Sequence, residues 1–336
     1  MDWKQRKIGV LMGGLSAERD ISMATGEAVH RILVEQGYDA HKIFVDRDLD
    51  QMIRQLDVEV VFNALDGRYG EDGCVQGMLE LFGIPYTGSG PLASGLAMDK
   101  VRAKELFRLY NLPTPPGYDL DRRAMADLDM VHGTFGYPCV VKPVQGGSSV
   151  GVAMVQDAEA LESACETALR FDDRVLVERY IDGIEMTVAI LDGETIGALE
   201  VVPPNGIYDF RAKYTPNVCE VHHPPRLSPA RYKGVLTQAV RAYQALGCSG
   251  LASVDMVLSD SGNEFILEVN TQPALSRTSP MVTLARAEGM ELADLVEAML
   301  DLIGLHSSDR VSGDRRMRQM RFDGTERRAA SMAKPH

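Results

Sequence analysis

The stretch "VDMVLSDSGNEFILEVN" carries three hard oxygen donors on a segment otherwise suited to a buried sheet: Asp255, Glu268 and Asn270. Phe265, Ile266, Leu267 and Val269 are what a buried strand requires, and Glu268 and Asn270, two residues apart, point from one face of it. A turn at Ser261, Gly262 and Asn263 folds the preceding strand back and sets Asp255 beside them. Oxygen donors with room left for phosphate oxygens suit Mg²⁺, which seldom takes a full protein cage. Each residue alone reads as a polar group at an exposed strand end. The three together favour a metal held at a nucleotide's phosphates.

"VVKPVQGGSSVGV" (140–152) fits the same chemistry. A glycine-rich turn around Gly147 lets backbone N–H groups approach phosphates closely, and Lys142 adds a point charge. It is not the G-x-x-x-x-G-K-[ST] of a Walker P-loop. "GVLMGGLSAER" is not the G-x-G-x-x-G of a dinucleotide fold, so a nicotinamide dehydrogenase is disfavoured.

The elements that must position these residues follow from periodicity. "KIGVLMGG" reads as a buried strand, Ala17 to Gly37 as a helix, and "AHKIFV" and "VEVVFNAL" as further strands around a short helix at Gln51 to Leu56. Alternation of this kind predicts a parallel α/β domain over 1–100, with "GGLSAERD" and "DGRYGEDGCVQ" sharing the rim at the strand ends. "PTPPGY" (113–118) breaks the pattern. A central α+β section (101–188) follows, with "YPCVVKPVQGGSSVGVAMV", a helix from Ala158 to Leu169, "RVLVERYI" and "EMTVAIL". The third section (189–305) holds a helix from Ala230 to Leu246 and the carboxylate hairpin. A closing helix is read from the spacing of Leu292, Leu295, Val296, Met299 and Ile303. From His306 to His336 apolar residues thin out and arginines gather, which reads as a mobile tail.

With 336 residues and 45% hydrophobic content, the chain can fill two or three cores. Its 35 basic and 48 acidic residues give a net charge of −13, which argues against a general nucleic-acid binder. Five scattered cysteines without a C-x-x-C pair fit a reducing compartment and no disulfide framework. No apolar run approaches the ~20 residues of a membrane span, and no signal-peptide pattern opens the chain. A cytoplasmic protein with no membrane or nucleic-acid partner is expected.

The ordered stretches "GGLSAERDIS", "GRYGEDGCVQGMLELFGIPYTGSGPLASGLAMDK", "VVKP", "GGSSVGV", "YDFRAKY", "VDMVL" and "LEVNTQP" resemble the D-alanine–D-alanine ligase family of the ATP-grasp superfamily, to about residue 304. The resemblance implies a three-domain ATP-grasp fold, a homodimer, and amino acids as small-molecule substrates of an ATP-dependent, dipeptide-forming reaction serving peptidoglycan precursors. It further implies that Lys100, Lys142 and Gly147 contact ATP phosphates, that Glu178 and Tyr180 border the adenine, and that Glu185 holds the ribose. Asp255, Glu268 and Asn270 would bind two Mg²⁺ ions, with Mn²⁺ as a substitute. Glu18 would take the first ammonium and share a triad with Ser148 and Tyr214, while Lys213 would reach the γ-phosphate. Ser276 and Ser279 would bind substrate, Ser279 as the serine of the acceptor carboxylate.

Three positions depart from the family pattern. Asp66 stands for a histidine, Ser253 for an arginine that serves the oxyanion and the second carboxylate, and Ala274 for a glycine. Arg277 is expected to restore the lost positive charge, since a guanidinium matches a carboxylate and stays charged at any working pH. Three readings remain open: a ligase with a rebuilt acceptor site, a ligase for another acceptor, and an ATP-binding paralogue without turnover. Retention of Lys142, Lys213 and all three candidate metal positions argues against the last.

Overall fold

The structure, a computed structural model, describes residues 3–204, 206–208, 213, 215, 218–276 and 279–306. Tyr214, Arg277 and the expected tail beyond His306 lie outside the described residues. β1 (Lys7–Gly13) is buried at every position past Lys7, as a central parallel strand covered on both faces must be. β2 (Asp39–Val45) and β3 (Val60–Asn63) flank it in parallel, in the order β2-β1-β3. The crossovers are α1 (Arg19–Glu35), which buries Ala28, Val29, Ile32 and Leu33, and α2 (Leu49–Gln55). α3 (Cys74–Phe82), α4 (Pro91–Met98) and α5 (Lys100–Leu109) lead out of this layer.

The second sheet is antiparallel, ordered β4-β7-β5-β6 from β4 (Gly117–Asp121), β5 (Cys139–Pro143), β6 (Ala153–Val155) and β7 (Arg174–Arg179). With α6 (Leu128–His132) and α7 (Ala158–Ala168) it closes a core of its own around Leu120, Val141, Val155, Leu161 and Val177. The third sheet, order β10-β9-β8-β11-β12, contains β8 (Gly183–Leu191), β9 (Glu194–Val202), β10 (Glu220–His222), β11 (Leu251–Ser259) and β12 (Glu264–Asn270). α8 (Pro229–Leu246) covers one face, where Val235, Ala239 and Tyr243 meet Val188, Val254 and Met256. α9 (Pro280–Ala287) and α10 (Leu292–Asp301) cover the other.

One strand sits elsewhere than its sequence neighbours suggest. "EMTVAIL" was expected in the central section, yet β8 pairs with β9 and β11 in the third sheet. Both edges of β7 are already taken by β4 and β5, so the chain must cross to the other sheet after Tyr180.

The parallel layer and the third sheet share one core, in which Val10, Val29 and Phe62 are clustered with Leu251, Leu284 and Leu295. A backbone clasp reinforces it. Ser89 Oγ donates to Ser249 O and accepts from Ser249 N, both at 3.0 Å. Gly250, at φ +66°, brings its Cα so close that a Cβ would lie 3.1 Å from Gly88 Cα.

Candidate active site

The hairpin of β11 and β12 pairs Asp255 with Glu268 and Ser253 with Asn270. Directly opposed residues of an antiparallel pair face the same side, so all four side chains look into one cavity. Thr187 of β8, opposite Asp255 on the other edge, donates its hydroxyl to Asp255 Oδ1 at 2.8 Å. Lys213 Nζ lies 3.4 Å from Asp255 Oδ2 and 3.7 Å from Glu268 Oε1, and Lys100 Nζ lies 3.2 Å from Glu268 Oε2. Burial alone would raise Glu268, but Lys100, Lys213 and Lys142 hold it well below the usual carboxylate range. Asn270 Oδ1 accepts from Gln272 N at 2.8 Å. Among the described residues no three His, Cys, Asp or Glu groups converge to hold a metal. The donor set is therefore two carboxylates and a carboxamide, which fits a Mg²⁺ ion that completes its shell with phosphate oxygens and water.

Between the second and third sheets lies a cleft. Val140, Met186, Met256 and Leu267 give it apolar walls, and Lys142, Glu178, Tyr180 and Glu185 line it too. Glu178 is fully buried between two lysines, 2.5 Å from Lys142 Nζ and 2.6 Å from Lys104 Nζ. Burial opposes its charge, but the two cations outweigh it and depress its pKa. Lys104 Nζ also meets Thr114 Oγ1 at 3.0 Å and Ile266 O at 3.5 Å, and burial lowers its pKa to about 8. Lys100 Nζ donates to Gly146 O at 2.7 Å, and Tyr180 donates to Gly206 O at 3.2 Å. Glu185 is pushed up to about 7, chiefly by burial.

A second cavity adjoins the first through Gly147, Lys213, Asp255 and Glu268, which line both. Glu18, at the start of α1, is buried and accepts from Gly147 N at 3.2 Å. Glu71 accepts from Gly67 N at 3.0 Å. A Cβ on Gly147 would lie 3.0 Å from Glu71 Oε1, 3.5 Å from Glu18 Oε1 and 3.7 Å from Asp66 Oδ1, so oxygens of three carboxylates border that point. Gly67, at φ +71°, has no room for a side chain, since its Cβ would stand 2.2 Å from Glu18 Oε2. Ser148 is buried beside this point, at φ +53°. Ser253, Pro273, Ala274 and Ser279 line the far end, where Ser279 caps α9 by accepting from Val282 N at 3.2 Å.

The structure thus brings together Glu18, Lys100, Lys142, Gly147, Ser148, Lys213, Asp255, Glu268, Asn270 and Ser279 around two joined cavities, with Glu178, Tyr180 and Glu185 in the outer one. Ser276 is not among them. It lines a groove with Ala24, His30 and Lys42 beside α1, whereas Ser279, whose N donates to Ser276 O, lines the inner cavity. Lys104, Glu71 and Thr187 were missed. The buried face of α5 reads Lys100, Ala103, Lys104 and Phe107, a helical spacing that could have flagged Lys104.

Two sheets gripping a cleft, with a cationic and carboxylate-rich floor beside a parallel α/β layer, define an ATP-dependent ligase of ATP-grasp architecture. Family models for the D-ala D-ala ligase N-terminus and C-terminus match residues 48–89 and 108–301. A D-alanine–D-alanine ligase of Geobacter sulfurreducens is 50% identical over 298 residues, 88% of this chain and 94% of that one. The crystal structure of D-alanine–D-alanine ligase from Bacillus anthracis superposes with a TM-score of 0.78 at 34% identity, over 92% of this chain and 99% of that one. Its complex with ATP gives a TM-score of 0.76 at 32% identity, with the same coverage. The chain belongs to the D-alanine–D-alanine ligase family. No helix among the described residues is long and apolar enough to cross a membrane.

Proposed function

We propose that the protein joins two molecules of D-alanine at the expense of ATP, for peptidoglycan precursors. The observation that carries this reading is the meeting of Glu18 with Gly147 at the seam between the two cavities. It sets an ammonium-binding carboxylate beside a loop suited to phosphates. In this reading Lys100, Lys142, Gly147 and Lys213 hold the phosphates, Glu178 and Tyr180 flank the base, and Glu185 meets the ribose. Asp255, Glu268 and Asn270 hold Mg²⁺, two ions with room for Mn²⁺, which when bound neutralises charge on the phosphates. Glu18 orients the first amino acid with Ser148 and Tyr214 beside it, so that its carboxylate takes the γ-phosphoryl group and the second amine displaces phosphate. Ser279 and Arg277 receive the acceptor carboxylate.

Three domains follow the three sheets in this reading, with the second ending at the crossover after Tyr180 rather than at 188. Family membership supports a cytoplasmic homodimer, which light scattering tests. An acceptor other than D-alanine is the second reading. It is favoured by the neutral Ser253 and Ala274, because the only described cations lining the inner cavity, Lys100 and Lys213, already face Glu268. Phosphate release from ATP against a panel of D- and L-amino acids, with mass spectrometry of products, tests both. D-alanyl-D-alanine as the main product supports the first, a mixed dipeptide the second, and no turnover with any pair overturns both.

A further inference from the structure

Asp66 is 6% exposed, and among the described residues its carboxylate accepts no hydrogen bond. Its oxygens are not sealed from solvent but belong to a cavity lining, where an incoming cation can meet them. Asp66 stands with Glu18 and Glu71 around Gly147, and it lines a smaller cavity with Pro273 and Ala274, residues that also line the inner cavity at its acceptor end. Glu18 and Glu71 each accept a backbone N–H, from Gly147 and Gly67. Of the three, Asp66 alone accepts no hydrogen bond among the described residues.

We propose that Asp66 is a catalytic residue that binds the ammonium of the second, attacking amino acid and removes its proton. The inference rests on the ligase reading above. The step balances as follows. The ammonium gives one proton to the Asp66 carboxylate and becomes an amine. Its lone pair forms the C–N bond at the acyl carbon of the aminoacyl phosphate, and the C–O bond to phosphate breaks with its electron pair on phosphate. The surplus proton on the new amide nitrogen leaves with phosphate as HPO₄²⁻, and Asp66 later returns its proton to solvent.

An ordinary carboxylate is too weak a base for this, because ammonium groups titrate several units higher. Here burial, followed by the neighbouring Glu18 charge, pushes Asp66 up to about 8 against the pull of Lys213. The charged groups that face the cluster are Glu18 from the start of α1, Glu71 from the loop after β3, Lys213, and Lys100 from α5. An incoming ammonium favours the ionised form of Asp66, so the same group can bind the cation and then discharge it.

The test compares two nucleophiles on the wild type, Asp66→Asn and Asp66→His: D-alanine, which arrives as an ammonium, and hydroxylamine, which is neutral at pH 7 and traps acyl phosphate as a hydroxamate. Asp66→Asn is expected to lower kcat/KM for the second D-alanine by about 100-fold or more, while the hydroxamate rate falls less than about threefold. Asp66→His is expected to recover much of the dipeptide rate, with the acid limb of its pH profile moved down toward ~6.5. Equal losses with both nucleophiles in Asp66→Asn, or no loss with D-alanine, overturn the inference alone. A wild type that forms neither product overturns the ligase reading and this inference with it.

Discussion

Glu18 touches the opposite wall of the site through one side-chain hydrogen bond, from Gly147 N. A carboxylate placed there to meet an ammonium contributes the ~1.5–3 kcal/mol of a charged hydrogen bond, roughly 10–100-fold in affinity. Glu18→Gln is therefore expected to raise KM for the first amino acid by that factor and to leave ATP affinity within about twofold. Equal weakening of ATP, read by nucleotide titration, would place Glu18 on the phosphates instead. Arg277 is expected to act at the other end. Arg277→Ala should abolish dipeptide formation while acyl-phosphate formation stays measurable by exchange, and a wild-type dipeptide yield in that variant removes Arg277 from the site. The pairing of Asp255 with Glu268 was legible because a Ser-Gly-Asn turn fixes a register and side chains alternate along a strand. Glu71 was not legible, since an isolated charge in a sequence reads as solvated; for Lys104 the helical spacing marks burial but not its partners. What buries Lys104 is Glu178 on β7 and Ile266 on β12, and no local pattern announces such distant partners.

At the level of elements, α5 works as a bolt. From its buried face Lys104 ties the second sheet, through Glu178, to the third, through Ile266 O. Removing one partner from a buried ion pair costs ~3–5 kcal/mol because the other charge is left uncompensated. Lys142 remains beside Glu178, so Lys104→Met is expected at the low end, ~3 kcal/mol, read from the urea midpoint. A loss under about 1 kcal/mol would mean that Lys142 alone satisfies Glu178. Many strands and helices were legible one by one from period and length, α10 and β12 most clearly, whereas α3, α4, β4, β9 and α9 went unread. The sheet that a strand joins was not. β8 shows why: pairing depends on which edges are free, and the edges of β7 were claimed by strands far away in sequence.

Over the whole molecule, buried carboxylates set the response to pH. Asp66 rises from 3.8 to about 8, Glu185 from 4.5 to about 7, and Glu71 well above its ordinary value, burial being the first cause in each. A carboxyl whose folded pKa is raised holds a proton that the unfolded chain has released. Its stabilisation is complete below about 4 and is lost as pH rises through 7 to 8, at ~1.4 kcal/mol per unit per group. Glu178 and Glu268 are depressed and act in the opposite sense, but only below 4.5. The empty protein should therefore melt at a lower temperature at pH 8.5 than at pH 6, and Asp66→Asn should flatten that slope. A melting temperature that climbs over this interval would show that these carboxyls are ionised throughout.

The clasp of Ser89 on Ser249, with the core shared by the first and third layers, has a mechanical meaning. Prising those layers apart would wet Val10, Phe62, Leu251 and Leu295 together, whereas the central sheet keeps its apolar side chains in a cluster of its own. The molecule is thus a vice whose two jaws are bolted by Lys104 but keep separate apolar cores. One jaw carries Glu18 and the Asp255–Glu268 hairpin; the other carries Lys142 and the loop of Gly147 and Ser148. Their tips meet where Gly147 N touches Glu18, so the bite that shuts out water also brings the phosphate loop against the first amino acid.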